Sequence, residues 1–76
     1  MMSVNIKFKN GYEARFNSSS PQQLGNNIID FMQCFNSLTE DEVCYLYEQL
    51  VVYDLNIGLS DLKLNEYIKD YNIEVI

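Results

Sequence analysis

The sequence has no histidine and no tryptophan, and only one proline, three glycines and two cysteines in 76 residues. Without histidine, the commonest general base and metal ligand near neutral pH is missing. Neither a Ser-His-Asp nor a Cys-His arrangement can be assembled within the chain. Two cysteines fall short of the four ligands of a structural zinc site. Gly11, Gly25 and Gly58 stand alone, so there is no glycine-rich loop to cradle a phosphate. No apolar run approaches the ~20 residues that span a bilayer. The opening residues MMSVNIKFK alternate and lack the continuous apolar centre of a signal peptide. These absences predict a cytoplasmic, non-catalytic chain with no cofactor, no metal and no membrane contact. In that compartment Cys34 and Cys44 are expected as free thiols, small residues of the core or its boundary.

Positive charge is also scarce, with 5 Lys and Arg against 11 Asp and Glu and a net charge of −6. Its placement matters more than its sum. Lys7, Lys9 and Arg15 lie near the start, whereas no Lys or Arg occurs from Phe16 to Leu62. The same stretch holds Asp30, Glu40, Asp41, Glu42, Glu48, Asp54 and Asp61. Such an acidic middle repels phosphate backbones and argues against direct nucleic-acid binding. It favours encounter with a protein that presents a basic surface.

What is present suffices for one small domain spanning residues 1–76. Hydrophobic residues make up 47% and aromatics 13%, enough apolar material for a single core and too much for a disordered chain. A chain of this length buries only about 60% of its unfolded surface, so little packing is spare.

Val4, Ile6 and Phe8 alternate with polar residues, the period of a half-buried strand. Tyr12, Ala14 and Phe16 repeat the pattern after Asn10-Gly11. A two-residue turn would set Phe8 against Glu13 and mix the faces. A three-residue loop of Lys9, Asn10 and Gly11 pairs Phe8 with Tyr12, Ile6 with Ala14 and Val4 with Phe16. It also sets Lys7 against Glu13 on the wet face. Since register follows the buried face, the second loop is predicted, with Gly11 in the left-handed region. Asn5, Lys7, Arg15 and the nearby Lys9 then make a small basic patch on the hairpin's wet face.

Ser20-Pro21 suits an N-cap and first helical residue. Leu24, Ile28, Phe31 and Phe35, with Met32 alongside, predict a helix over 21–36. Within it, Gly25 either permits close packing or is tolerated near the start. Thr39 and Glu42 form a capping box for a second helix over 40–53, with Val43, Leu46, Tyr47 and Leu50 as its core stripe. Residues 55–59 read as a connector and Ser60 as the N-cap of a third helix over 61–71. The stripe of that helix is Leu64, Tyr67, Ile68 and Tyr71, and residues 73–76 close the chain as a strand. The predicted fold is α+β in the order ββαααβ, with helices covering one face of a small antiparallel sheet.

One surface stands out. With ~100° per residue, Asp41, Tyr45, Glu48 and Val52 fall on the side of the second helix opposite its core stripe. Tyr45 and Val52 are thus expected in water, framed by Asp41 and Glu48. An apolar centre with a charged rim is ordinary interface anatomy, and Tyr is frequent at binding hot spots. The expectation is a small acidic protein-binding module, an inhibitor or adaptor acting on a larger target. Its profile, by size and charge alone, is that of phage and mobile-element inhibitors such as anti-restriction or anti-CRISPR proteins. The alternative is a homodimeric accessory subunit with Tyr45 and Val52 buried against a symmetry mate.

Overall fold

In the computed structural model, residues 1–35 and 38–75 are described, Phe35 by its backbone alone. The elements are β1 (Met2–Lys7), β2 (Glu13–Ser18), α1 (Pro21–Phe35), α2 (Glu40–Tyr47), a π-helical segment (Glu48–Tyr53), α3 (Leu55–Leu64) and β3 (Asp70–Val75). The order is ββαααβ with one three-stranded antiparallel sheet, as the sequence predicts. The sequence-based bounds at Asn36 and Ile76 lie outside the described residues, as does the Phe35 side chain.

The hairpin adopts the register that burial demands. Val4 lies opposite Phe16, Ile6 opposite Ala14 and Lys7 opposite Glu13. Phe8 N–H donates to the Tyr12 carbonyl at 2.8 Å, and Gly11 takes φ 89°, a conformation that glycine adopts without the Cβ penalty. β3 joins on the other side of β1, giving the order β2-β1-β3, with Val4 opposite Ile73 and Ile6 opposite Tyr71. β1 is therefore central, which explains why Val4 and Ile6 are almost fully buried.

The helices cover the face that carries Val4, Ile6 and Phe8, and these join Leu24, Ile28, Met32, Leu46, Leu50, Leu59 and Leu62 in one core. Phe31 on α1 closes the β2 side, stacked on Tyr12 at 5.9 Å and edge-on to Phe16 at 5.5 Å. α1 starts as predicted, with Gln23 N–H donating to Ser20 Oγ at 3.4 Å. α2 has the full capping box: Glu42 N–H donates to Thr39 Oγ1, and Thr39 N–H donates to Glu42 Oε1.

The predicted second helix is continuous to Tyr53, but its last six residues are π-helical. Gly25 and Gly58 both press on this segment. A Cβ on Gly25 would lie 2.7 Å from the Leu50 carbonyl oxygen, and one on Gly58 would lie 2.6 Å from that of Gln49. α1 and α3 thus approach the segment's backbone closer than any side chain permits.

The third helix is displaced from its predicted place. Asp54, not Ser60, is its N-cap, accepting from Asn56 N–H at 2.8 Å. The residues read as a connector form its first turns, and Leu55, Gly58, Leu59 and Leu62 are its buried stripe. It ends at Leu64, which is 81% exposed. The stop is a Schellman closure: Tyr67 N–H donates to the Leu62 carbonyl and Glu66 N–H to that of Lys63. Glu66 occupies the left-handed position at φ 63°, where glycine is usual, so the sequence carries no visible stop. Ile68 is buried in the turn that follows, and Tyr71 belongs to β3.

Candidate interaction surface

The structure distributes the four residues singled out on the second helix between two places. Asp41 and Tyr45 line a shallow depression with Glu42, Asn65 and Tyr67. Val52 lines another, with Pro21, Gln22, Val51, Tyr53 and Leu55. Glu48 lies between them and touches both electrostatically, raising the phenol pKa of Tyr53 and of Tyr45. The separation has a physical cause. The 100° projection assumes regular α-helical winding, and the π segment holds more residues per turn from Glu48 onward. Val52 is rotated off the line that a regular helix would draw through Tyr45.

Exposure follows the same division. Val52 is 61% exposed and Tyr45 is 36% exposed. Tyr45 leans onto α3, where its hydroxyl donates to Asp61 and accepts from Asn65 Nδ2 at 3.2 Å. Tyr47, expected in the core, is 47% exposed, whereas Leu46 and Leu50 are buried and Val43 packs against the core at its margin. Tyr53, which the periodicity did not single out, is 62% exposed.

A common pattern organises these tyrosines. Tyr45 donates to Asp61, Tyr67 donates to Glu42 Oε2 at 3.2 Å, and the Tyr53 phenol feels the charge of Glu48. Each phenol pKa is pushed above its ordinary value. For Tyr45 the first cause is the hydrogen bond to Asp61, for Tyr53 the hydrogen bond to Glu48, and for Tyr67 burial followed by the bond to Glu42. Glu42 is held below the usual carboxylate range, first by the Thr39 backbone N–H and then by the Thr39 side chain. The Tyr45 and Tyr67 rings are held by their hydroxyls.

No cation neutralises these acids among the described residues. The ion pairs there are Lys9–Glu66 at 3.7 Å, Arg15–Glu74 at 3.8 Å and Lys63–Asp70 at 3.1 Å, and all lie on or beside the sheet and the turn that precedes β3. Those pairs also alter the hairpin's wet face. β3 brings Asp70, Asn72 and Glu74 alongside Lys7, Asn5 and Ser3, so the basic patch expected there is balanced by acids.

Other chemistry is sparse. Among the described residues no group of three His, Cys, Asp or Glu side chains is placed to hold a metal ion. Cys34 and Cys44 are free and exposed, so neither is a core residue. No helix among the described residues is long and apolar enough to cross a membrane. Asp61, Asn65 and Tyr67 complete the Tyr45 site from 16 to 22 residues away in sequence, beyond any periodicity within the second helix. Comparison with protein-family models, with curated proteins and with solved structures returns no match to this chain.

Proposed function

We propose that this chain is a non-catalytic protein-binding module whose acidic α2 surface receives a basic segment of a larger macromolecular target, as an inhibitor or adaptor does. The observation that carries the reading is a pair of tyrosines bonded to carboxylates that no cation among the described residues pairs with: Tyr45 with Asp61 and Tyr67 with Glu42. A guanidinium or ammonium group brought to this surface meets Asp41, Glu48 and ring faces already held in place. Aromatic faces attract cations, and fixed side chains lose little further entropy on binding. Charge there also speeds encounter with a basic partner.

The reading is tested by purifying the tagged chain from its native host and quantifying what co-elutes. The Asp41→Lys/Glu48→Lys double variant and Tyr45→Ala should each weaken capture of the principal basic partner by about thirtyfold, the loss expected for a hot-spot residue worth about 2 kcal/mol. Far-UV circular dichroism should be unchanged. Recovery unaffected by all of these changes rejects this surface.

A further inference from the structure

The outer edge of β3 is open, and its alternation decides what can pair with it. Phe8 and Tyr12 form a hydrogen-bonded pair of the hairpin. In an antiparallel ladder such pairs alternate, so the even residues of β1 bond to β2 and the odd ones face β3. The Lys7 carbonyl, which accepts from Lys69 N–H at 2.8 Å, agrees. With Lys7 opposite Asp70, Asn5 opposite Asn72 and Ser3 opposite Glu74, the even residues of β3 bond inward. Tyr71, Ile73 and Val75 therefore turn their backbone groups outward. The Tyr71 N–H is met by Asp70 Oδ1 at 2.9 Å, while no other strand lies beside Ile73 and Val75 among the described residues. β3 has no lysine and no proline, two devices with which natural edges discourage pairing.

We propose that this edge pairs with β3 of a second copy of the chain, antiparallel, with the two-fold axis at Ile73, giving a continuous six-stranded sheet. Residues directly opposite one another must share a sheet face, which leaves two central registers. One is centred on Asn72 and sets Asp70 against Glu74 of the partner subunit, a like-charge clash. The other is centred on Ile73. It pairs Tyr71 with the partner's Val75 and Asn72 with the partner's Glu74, and it matches the outward-turned residues to one another in full. A slip by one residue puts Tyr71, Ile73 and Val75 on the wet face.

The side chains favour the same register independently. Leu64 at 81% and Val75 at 77% are the most exposed large hydrophobics among the described residues. Leu64 lines a shallow groove between α3 and β3 together with Asn56, Ser60, Tyr71 and Ile73. Seating the partner's Val75 opposite Tyr71 brings it to the Leu64 side of that groove, and the two-fold axis repeats the contact. Both residues are thereby covered by one event. This surface is separate from the acidic face of α2, so either can fail without the other.

Sedimentation equilibrium of the full chain, from low to high micromolar, tests the pairing. The wild type should show a monomer–dimer equilibrium. Val75→Lys and Leu64→Glu should each weaken it at least about tenfold, since each removes apolar contact at two symmetry-related positions. Asn72→Lys should tighten it about fivefold by facing Glu74 of the partner subunit twice. A wild type that remains monomeric throughout overturns the proposal. So does a dimer indifferent to Val75→Lys and Leu64→Glu but dissolved by Tyr45→Ala or Val52→Lys. Weakening by Asn72→Lys overturns the register, because only the Asn72-centred alternative sets lysine against lysine. Exposure of both Val75 and Leu64 keeps their variants folded, which circular dichroism verifies.

Discussion

Replacing Gly58 by alanine sets two opposed effects against each other. In the interior of α3, alanine is favoured over glycine by about 1 kcal/mol, so an unobstructed site would gain stability. The structure obstructs it. The new Cβ would lie 2.6 Å from the Gln49 carbonyl oxygen, 2.8 Å from its carbonyl carbon and 2.8 Å from Leu50 Cδ2. Two of those atoms are backbone, so relief requires α3 or the π segment to move. Overpacking of this kind costs about 1–3 kcal/mol. The net expectation is a loss of about 1 kcal/mol, which lowers the Tm of a domain this size by about 4–8 °C. Gly25→Ala acts from the other side, 2.7 Å from the Leu50 carbonyl oxygen and 2.9 Å from Val51 Cγ2. Relief of one clash pushes the segment toward the other helix, so the double variant should lose more than the sum of the singles. Urea and thermal denaturation followed by circular dichroism measure all three. A Gly58→Ala protein more stable than wild type would show that α3 does not rest on the Gln49 carbonyl, and the account of the π segment would fall with it.

Two further outcomes follow from helix ends. Glu66→Gly should stabilise the fold by about 1 kcal/mol by relieving a non-glycine residue at φ 63°, seen as a higher urea midpoint; a drop would show that the Lys9–Glu66 pair outweighs the backbone strain. Glu42 and Asp70 both titrate below their ordinary values of 4.5 and 3.8, Glu42 through the Thr39 backbone N–H and Asp70 through the Tyr71 backbone N–H and then Lys63. A depressed folded pKa supplies stability that is full above the unfolded value and is lost as pH falls through the folded one. Stability should therefore decline from about pH 5 downward, and Glu42→Gln should flatten that acid limb; superimposable limbs in wild type and variant would remove Glu42 from the explanation.

Local rules carried the parts of the fold where neighbours in sequence are neighbours in space. The hairpin register was legible because only one loop length keeps Val4, Ile6 and Phe8 on a single face. The start of α2 was legible because the Thr39–Glu42 box is a four-residue motif. α3 was misplaced because its cues are tertiary. Gly58 reads as a breaker until Gln49 is seen against it, and Glu66 reads as a helix former until Tyr67 closes back on Leu62. The candidate site divides in the same way. The outward side of α2 could be projected from periodicity, which located Asp41 and Tyr45. The change of winding at Glu48 moved Val52 away, and the carboxylate that fixes Tyr45 comes from α3.

The central position of β1 has a consequence for how the molecule is made. Met2 pairs with Val75, and Lys7 with Asp70, so half of the sheet joins strands that lie far apart in sequence. A nascent chain leaving the ribosome can form its hairpin and stack its helices early, but the second flank of β1 stays bare until β3 emerges. Completion of the sheet closes everything between β1 and β3 into one loop, the kind of distant pairing that slows folding. During that interval the exposed edge of Ser3, Asn5 and Lys7 is the place where a chaperone, or a neighbouring nascent copy, would first make contact.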